Sequence, residues 1–420
     1  MKVLLINTFE TKGGAAVACK RLAIALQKQG ADVTMLVRDK TTTDKFVESI
    51  VSSSILKLYS KFSFITERLQ IFRTNRFKKN NLFAISTASC GFKIHNSPQV
   101  QEADIIHLHW INQGMLSTSE IGKLAKLGKP IVWTMHDMWP MTGICHHSGD
   151  CTRFMEGCGY CKFLTKPSTH DLSYQVFRKK KNAVCNSNIQ YVACSQWLRN
   201  KTEKSLLLTG NQMTNIPNPI DTDFFVPGDQ LKARQELSLP TDKKLILFGA
   251  AIVSEKKKGI DYLIKSTNLL TDLYNDVELV YFGKVKDEIS EAFGLKTHPL
   301  GYMSDMNAIA KMYQAVDCFV TPSLEENLPN MIMEAMSCGV PCVGFETGGI
   351  PEMITHLKTG YIAQYKSAED LAIGIRTILA KSGENTFKDA ARAFVLANYS
   401  ESKVAEKYLR IYNILQKNAE

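Results

Sequence analysis

Residues 321–341 have the sequence TPSLEENLPNMIMEAMSCGVP, which predicts a strand end, a tight loop and a short helix. The apolar run before it, residues 316–320, is typical of a buried strand. Pro329 suits the first position of a helix, and Gly339 followed by Pro341 suits the end of one. Strand, loop and helix in this order form the repeating unit of a parallel sheet that is covered by helices.

Two carboxylates bracket this turn, because Glu326 lies in the loop and Glu334 lies inside the helix, with seven residues between them. Leu328, Asn330 and Met331 offer backbone amides near the helix N-terminus, where an anion is stabilised. The rest of the helix is almost wholly apolar, so the Glu334 carboxylate needs a partner, and the vicinal hydroxyls of a ribose would supply one. Alternatively, Glu325 and Glu326 only favour the helix dipole and Glu334 occupies a solvated edge. The spacing alone leaves both interpretations open.

The length and composition of the chain indicate a soluble protein of two domains. A chain of 420 residues is too long to fold around a single hydrophobic core. Its fractions of apolar residues, 45%, and of charged residues, 22%, are ordinary for a globular protein. No apolar run approaches the roughly 18–20 residues of a membrane span. The apolar stretch before Asn7 is too short for a signal peptide, so we expect a first strand there and a cytoplasmic protein.

Short apolar runs alternate with helical patterns in two successive halves, which predicts two parallel sheets. The predicted strands are residues 3–6, 33–37, 105–108, 131–135 and 191–193 in the first half, and 245–248, 277–282, 316–320, 342–345 and 361–363 in the second. Residues 214–227 contain three prolines and form the predicted linker between domains 1–213 and 228–400. The final helical pattern, 402–420, either closes the second domain or crosses back to the first.

Two loops at predicted strand ends offer room or charge for a ligand. Gly13 and Gly14 precede the first helix without forming a dinucleotide or Walker fingerprint, so a plain tight turn is the alternative to a phosphate or sugar site. Residues 254–259 contain three lysines, which either hold a diphosphate without a metal or form an ordinary solvated loop. Asp221 and Asp223 form an Asp-x-Asp pair in the linker, which is weak evidence for a metal site.

The net charge of +10 is concentrated in one segment, residues 57–79, which contains seven Lys or Arg and one acid, Glu67. Apolar residues are interleaved with these charges, as in a basic amphipathic helix. An anionic membrane surface is one partner for such a segment. The alternative is a solvated helix that packs on its own domain, and nucleic acid is not expected because no nucleic-acid module accompanies the charge.

Four of the eleven cysteines, Cys145, Cys151, Cys158 and Cys161, lie within 17 residues. Disulfides are not expected in a cytosolic chain. The spacing can wrap a tetrahedral ion, and thiolates suit zinc. A structural zinc, free thiols and a redox-sensitive pair all remain open.

Taken together, these residues resemble glycosyltransferase family four, a large retaining group, and the likeness covers nearly the whole chain. It is carried by residues 217–221 (PNPID), 258–259 (KG), 301–302 (GY), 317–323 (DCFVTPS), Glu326 and Glu334, 339–341 (GVP), 348–352 (GGIPE) and Gly360. The resemblance implies the GT-B fold, an α/β arrangement of two Rossmann-like domains with parallel sheets facing across a cleft. It also implies that Asp221 belongs to the hinge pattern and that catalysis needs no metal or other cofactor.

The resemblance also implies roles for individual residues. Glu334 would hold the ribose of a nucleotide sugar, and Glu326 with the amides of Leu328, Asn330 and Met331 would bind the donor sugar. Lys258 would neutralise the diphosphate. Lys257 or Lys256 would supply the second cation, because Ala250 and Ala251 stand where many relatives have an arginine. His136 would reach the donor sugar near the reacting carbon. The remaining donor-binding residues that we infer are Gly13, Gly14 and Tyr302.

Residues 136–143, HDMWPMTG, followed by the four cysteines, are similar to a subset of the family that acts in polysaccharide assembly. This likeness predicts a retaining transfer of a sugar from a UDP- or GDP-linked donor to a hydroxyl of a lipid-linked glycan, on the inner face of a membrane. A nucleotide-sugar epimerase of the same fold and a non-catalytic sugar-nucleotide-binding protein are the rival predictions. Product analysis separates the epimerase, and the absence of both transfer and donor hydrolysis would identify the binding protein.

Overall fold

The computed structural model describes residues 1–184, 187–285, 289–382 and 385–418. The chain forms two compact α/β units, Met1–Pro219 with Val404–Glu420, and Ile220–Lys403. Each unit is built on its own sheet, of seven strands in the first and six in the second. The predicted fold class, two Rossmann-like domains with parallel sheets, is therefore confirmed.

The strands are β1 Lys2–Phe9, β2 Asp32–Asp39, β3 Val47–Ser49, β4 Ile105–Leu108, β5 Ile131–Met135, β6 Ile189–Ala193, β7 Met213–Asn215, β8 Lys244–Ile252, β9 Val277–Lys284, β10 Thr297–Pro299, β11 Cys318–Thr321, β12 Cys342–Phe345 and β13 Gly360–Ala363. The helices are α1 Gly14–Lys28, α2 Ser54–Thr74, α3 Pro98–Glu102, α4 Thr118–Leu124, α5 Leu172–Val184, α6 Gln196–Thr202, α7 Gln230–Glu236, α8 Ile260–Asn268, α9 Met306–Ala315, α10 Asn330–Ser337, α11 Ile350–Met353, α12 Ala368–Ala380, α13 Asn385–Asn398 and α14 Glu401–Lys417.

The first sheet has the strand order β3-β2-β1-β4-β5-β6-β7, and every neighbouring pair is parallel. Successive residues of a strand point to opposite faces, so a buried strand feeds two cores. In β1, Leu4 and Ile6 join one core while Val3 and Leu5 join the other. Helix α1 and the C-terminal helix α14 cover the second face.

The second sheet has the order β10-β9-β8-β11-β12-β13, again with parallel neighbours. Its core combines these strands with residues of α8, α12 and α13. Helix α10 buries Ile332, Met333, Ala335 and Met336, as its apolar sequence predicts.

The structure differs from the sequence prediction mainly at the boundaries of elements. Three short strands, β3, β7 and β10, were not predicted, because three residues are too few to show a period. Helix α10 begins at Asn330, so Pro329 is its N-cap rather than its first helical residue. None of the helices in the described part of the chain combines the length and the apolar character that a transmembrane span requires.

Candidate functional site

The strand order of the second sheet fixes where a ligand can approach. The chain moves outward from β8 to β9 and β10 on one side, and from β11 to β12 and β13 on the other, so the topology reverses between β8 and β11. In open parallel sheets, ligands bind at the carboxyl ends of the strands that flank such a reversal. The loops that leave β8 and β11 carry the lysine run and the Glu326 loop.

These two loops are packed directly against each other. The lysine run forms a 3₁₀ turn, Lys256–Lys258, and the next residue, Gly259, has φ +77°. A Cβ at Gly259 would lie 1.7 Å from the Pro322 carbonyl oxygen, so only glycine allows this approach. The Leu324 N–H donates to the Lys257 carbonyl oxygen at 2.8 Å. These backbone contacts therefore fix the position of one loop against the other. The Lys257 side chain is exposed.

The packing brings Lys258 and Glu326 together, since Lys258 Nζ donates to Glu326 Oε1. Burial lowers the pKa of Lys258, but the Glu326 carboxylate outweighs this effect, and the net pKa lies above the ordinary value. Ser323 also donates to Glu326 Oε1, at 3.3 Å. A fixed ammonium ion at the carboxyl edge of the sheet can neutralise an anionic ligand.

Glu334 has a protein partner that the sequence analysis missed. The hydroxyl of Tyr313, on α9, donates to Glu334 Oε2 at 3.0 Å, and both residues are buried. Tyr313 lies 21 residues before Glu334 and shares no motif with it, so local sequence gave no signal for the pair. A carboxylate has about four lone-pair sites, so it can accept from a diol as well as from the Tyr313 hydroxyl.

A second loop supports Glu326 from the other side. Asn327 and Pro329 occupy the positions after Glu326, and close packing there depends on the glycines that follow β12. Gly348 has φ +58°, and a Cβ on it would lie 1.7 Å from the Glu326 carbonyl oxygen. Gly349 donates its N–H to the same oxygen at 3.3 Å.

The other predicted donor-binding residues of this unit occupy different surroundings. Leu328 is buried, while Asn330 and Met331, which begin α10, are partly exposed. Pro329 offers no side-chain oxygen to cap the first N–H groups of α10. Tyr302 is 63% exposed and lies after β10, with Lys284 Nζ 5.2 Å from the centre of its ring.

In the first unit, Gly13, Gly14 and His136 follow strands of the first sheet at its carboxyl edge. Gly13 has φ +91° and is the N-cap of α1, which begins at Gly14. A Cβ on Gly13 would meet nothing within 4 Å, so this turn lies beside open space. Glu10, at the start of this loop, accepts hydrogen bonds from Lys20 Nζ and from the N–H groups of Thr41 and Thr42.

His136 is hydrogen-bonded on both ring nitrogens. His109 Nδ1 lies 2.9 Å from His136 Nε2, and the Cys194 thiol lies 3.6 Å from His136 Nδ1. Burial lowers the pKa of His136 to about 4, although the nearby Asp137 carboxylate raises it. Burial lowers the pKa of His107 to about 3 and that of His109 well below its usual value. The three rings are therefore neutral at physiological pH, and a substrate hydroxyl would have to compete with His109 for His136 Nε2.

Asp137 ties the loop after β5 to its surroundings. Its carboxylate accepts from Trp110 Nε1 at 2.8 Å and from the Trp139 N–H at 2.8 Å, and it pairs with His146 Nδ1 at 2.7 Å. Burial raises the pKa of Asp137, but His146 and these other contacts lower it to about 2. Ser86 Oγ lies 3.0 Å from His146 Nε2, which completes a Ser-His-Asp series. Because Ser86 is wholly buried, this series holds the loop together and offers no nucleophile to a substrate.

The four clustered cysteines carry free thiols. Burial raises the pKa of Cys145 to about 11 and that of Cys158 and Cys161 to about 12, and neighbouring cysteines of the cluster add to each shift. They thus share one neighbourhood. Among the residues that the structure describes, however, no three His, Cys, Asp or Glu side chains are arranged to hold a metal ion. A zinc ion would have to draw the thiols together, so zinc binding stays a prediction.

The Asp-x-Asp pair of the linker has a structural role. Asp221 Oδ1 accepts from the N–H groups of Asp223 and Phe224 at 3.0 and 2.9 Å. This turn occupies the Asp221 carboxylate with backbone donors.

Models of known protein families match both units of the chain. A family model described as Glycosyltransferase Family 4 matches residues 12–224, about half of the chain, and one described as Glycosyl transferases group 1 matches residues 229–395. A Campylobacter jejuni N,N'-diacetylbacillosaminyl-diphospho-undecaprenol alpha-1,3-N-acetylgalactosaminyltransferase is 30% identical over 163 residues, 38% of this chain and 43% of that protein. A Bacillus anthracis N-acetyl-alpha-D-glucosaminyl L-malate synthase is 24% identical over 226 residues, 52% of this chain and 58% of that protein. The chain spans about half the length of the curated relatives that it matches.

Solved structures share the fold over nearly the full length. Sucrose-phosphate synthase from Thermosynechococcus elongatus has a TM-score of 0.68 at 18% identity, covering 99% of this chain and 98% of that one. The Anabaena protein HepE, solved with UDP-glucose, has a TM-score of 0.62 at 16% identity, covering 98% and 99%. The chain therefore belongs to glycosyltransferase family four and has the GT-B fold.

Proposed function

We propose that this glycosyltransferase moves a sugar, with retention of anomeric configuration and without a catalytic metal, from a nucleotide sugar to a hydroxyl of a lipid-linked glycan. The observation that carries the proposal is the pairing of Lys258 with Glu326 where the second sheet reverses its topology. A diphosphate entering there meets a positioned ammonium ion and the N-terminus of α10, both of which favour negative charge.

In this proposal Lys258 changes its anionic partner when the donor binds. Lys258 leaves Glu326 for the diphosphate, and the freed Glu326 carboxylate accepts from hydroxyls of the donor sugar. Glu334, held by Tyr313, takes the ribose diol. Support for a UDP donor comes from HepE, whose structures contain UDP and UDP-glucose.

We propose that the bond between the anomeric carbon and the diphosphate oxygen breaks with its electron pair moving to that oxygen. The acceptor hydroxyl then bonds to the same face of the anomeric carbon, and its proton passes to the departing phosphate oxygen. Lys258 and α10 stabilise the charge that develops on the phosphate.

The lipid-linked acceptor is supported by two relatives. The name of the Campylobacter relative specifies a diphospho-undecaprenol acceptor, and the protein WaaG, with a TM-score of 0.64 at 14% identity, is a glycosyltransferase involved in lipopolysaccharide biosynthesis. We therefore propose a role in surface polysaccharide synthesis, as a peripheral protein on the inner face of a membrane that residues 55–79 contact.

The deciding experiment incubates the full chain with a panel of UDP- and GDP-sugars, with and without an undecaprenyl-diphosphate-linked sugar. We expect one donor to release nucleoside diphosphate, faster with acceptor, to give an α-linked product from an α-linked donor by NMR, and to react equally with EDTA present. Inversion, or an absolute need for a divalent cation, would refute the mechanism. Failure of every donor to turn over, despite nucleotide binding, would indicate a binding protein instead.

The structural zinc is a separate proposal about the cysteine cluster. Native mass spectrometry of protein purified without chelators is expected to show one zinc per chain. A Cys158→Ser variant should lose it, whereas Cys90→Ser, at a cysteine outside the cluster, should keep it. A metal-free wild-type mass would end this proposal without touching the transferase assignment.

A further inference from the structure

The buried residues of helix α2 lie on one face, which packs on the first unit. They are Ser63, Glu67, Arg68 and Ile71, which recur at helical spacing. Glu67 Oε1 accepts from the N–H groups of Thr87 and Ala88 at 2.7 and 2.9 Å, and Arg68 contacts the carbonyl oxygens of residues 82 and 85. These bonds to an adjacent backbone fix the rotation of α2 about its axis.

The opposite face of α2 exposes large apolar side chains in a continuous stripe. Their spacing of three and four residues places them on one side of the helix. The members and their exposed fractions are Ile55 81%, Leu58 70%, Phe62 60%, Ile65 58% and Leu69 39%. Tyr59, 37% exposed, lies at the edge of the stripe and donates its hydroxyl to the Gly91 carbonyl oxygen at 2.9 Å. Beyond the helix, Phe77 is 68% exposed and packs on Phe72, and Phe83 is 64% exposed and stacks on Phe64. A run of this length is more than the scattered apolar residues of an ordinary surface.

The charges around this stripe select its partner. Residues 54–79 contain only one acid, Glu67, and it is buried. Six of the seven cations are exposed, namely Lys57, Lys61, Arg73, Arg76, Lys78 and Lys79. A second copy of the same face would set cations against cations, with no exposed acid on the helix to pair with them. An anionic partner with an apolar interior meets both features.

We propose that residues 54–83 bind an anionic lipid bilayer, with α2 lying parallel to the membrane plane. The apolar stripe enters the boundary between headgroups and acyl chains, while the cations stay at the level of the lipid phosphates. Five charged residues within α2 prevent it from crossing the bilayer. This inference deepens the membrane contact of the proposed function, but it requires no sugar transfer and can be tested separately.

The test measures flotation of the full chain with vesicles of phosphatidylcholine alone and with about one-third phosphatidylglycerol. We expect binding to the anionic vesicles only. Each cation near an anionic surface contributes roughly fivefold, so Lys57→Gln with Lys61→Gln should weaken binding about 25-fold. Added salt should weaken binding to the anionic vesicles, because it screens the attraction between the cations and the lipid phosphates.

Matched variants separate insertion from charge and from misfolding. Phe62→Gln with Ile65→Gln should abolish flotation, whereas Ile373→Gln, at an isoleucine that is 53% exposed on α12, should float like wild type. Both variants should keep the circular dichroism and the donor hydrolysis rate of wild type.

Three outcomes would overturn the proposal: equal binding to neutral vesicles, equal loss in the Ile373→Gln control, or a wild-type dimer in sedimentation that the Phe62→Gln and Ile65→Gln pair dissociates. The last would assign the stripe to a second copy of the chain. Failure of donor turnover with intact flotation would reject the transferase mechanism and leave the membrane surface standing.

Discussion

Lys258 is the residue on which the proposed chemistry depends most. It is held by the Gly259 turn and by Glu326, whereas Lys256 and Lys257 are exposed on the same 3₁₀ turn. Replacing Lys258 by alanine should lower kcat by about 10²–10³, the usual loss for a group that stabilises developing charge. Donor hydrolysis followed by nucleoside diphosphate release measures this.

Lys256→Ala is the matched control for Lys258→Ala, since it removes an equal charge from the same turn. Its kcat should stay within about threefold of wild type, because an exposed ammonium ion is screened. Equal losses in the two variants would mean that net charge, and not the position of Lys258, matters.

From the pairing of Glu334 with Tyr313 we expect the enzyme to prefer ribose donors over 2′-deoxyribose donors. Glu334→Ala should raise the donor KM and bring the KM values of ribose and 2′-deoxyribose donors close together. Tyr313→Phe removes one hydrogen bond to a carboxylate, worth about 1.5–3 kcal/mol, so the donor KM should rise at least about tenfold with little change in kcat. Tyr274→Phe, at a 52% exposed tyrosine, is the control. Full retention of ribose selectivity in Glu334→Ala would remove Glu334 from the nucleotide site.

The buried histidines make the first unit sensitive to acid. The folded-state pKa of His136 is about 4 and that of His107 about 3, against about 6.5 in the unfolded chain. Below about pH 6.5 the unfolded state therefore binds protons that the folded state does not, and the unfolding free energy falls as pH falls. From about pH 7 to about pH 5 we expect a loss of roughly 1–2 kcal/mol per histidine.

Tryptophan fluorescence can follow this transition in the full chain, because all four tryptophans, Trp110, Trp133, Trp139 and Trp197, lie in the first unit. The depressed pKa values of Asp137 and Glu10, both about 2, affect stability only below about pH 5, outside this window. His107→Gln should reduce the pH slope, and His170→Gln, at an exposed histidine, should not. An unchanged slope in His107→Gln would contradict the assignment.

At the scale of elements, the site depends on how two loops meet. Gly259→Ala places a methyl group 1.7 Å from the Pro322 carbonyl oxygen in a left-handed turn. A left-handed backbone conformation alone costs an alanine about 1–2 kcal/mol of stability. In addition, the overlap can be relieved only if the loops that position Lys258 and Glu326 move apart. Calorimetry should show a lowered thermal midpoint, and nucleoside diphosphate affinity should fall.

Gly301 provides the matched control for Gly259, because its φ is +69° and a Cβ there would meet nothing within 4 Å. Gly301→Ala should lower stability only by the cost of placing alanine in a left-handed backbone conformation. It should leave nucleotide affinity unchanged. If both alanine variants bind nucleotide equally well, the contact between the loops is not what positions the site.

At the scale of the whole molecule, the end of the chain completes the first unit. Residues from Val404 onward pack into its second core, and the Tyr412 hydroxyl lies 2.7 Å from His107 Nδ1. Tyr412→Ala should destabilise the first unit by about 3–5 kcal/mol, the usual cost of deleting a buried aromatic ring. Urea unfolding followed by tryptophan fluorescence measures this loss.

Ile414, two residues away on α14, is 58% exposed and gives the comparison. Ile414→Ala should change the unfolding free energy by less than about 0.5 kcal/mol. Equal stability of the Tyr412 and Ile414 variants would show that α14 contributes little to the first unit.

The sequence by itself determined the two parallel sheets, the run of lysines, the Glu326 and Glu334 pair and the family. These features are local, because a buried strand or a helix N-terminus is specified by residues that are adjacent in the chain. The neighbours of those residues were decided only by the tertiary structure: Tyr313 beside Glu334, Gly348 against Glu326, His109 beside His136 and Tyr412 beside His107. Each partner comes from another strand, helix or loop, and side-chain spacing within one segment carries no information about which segment will pack against it.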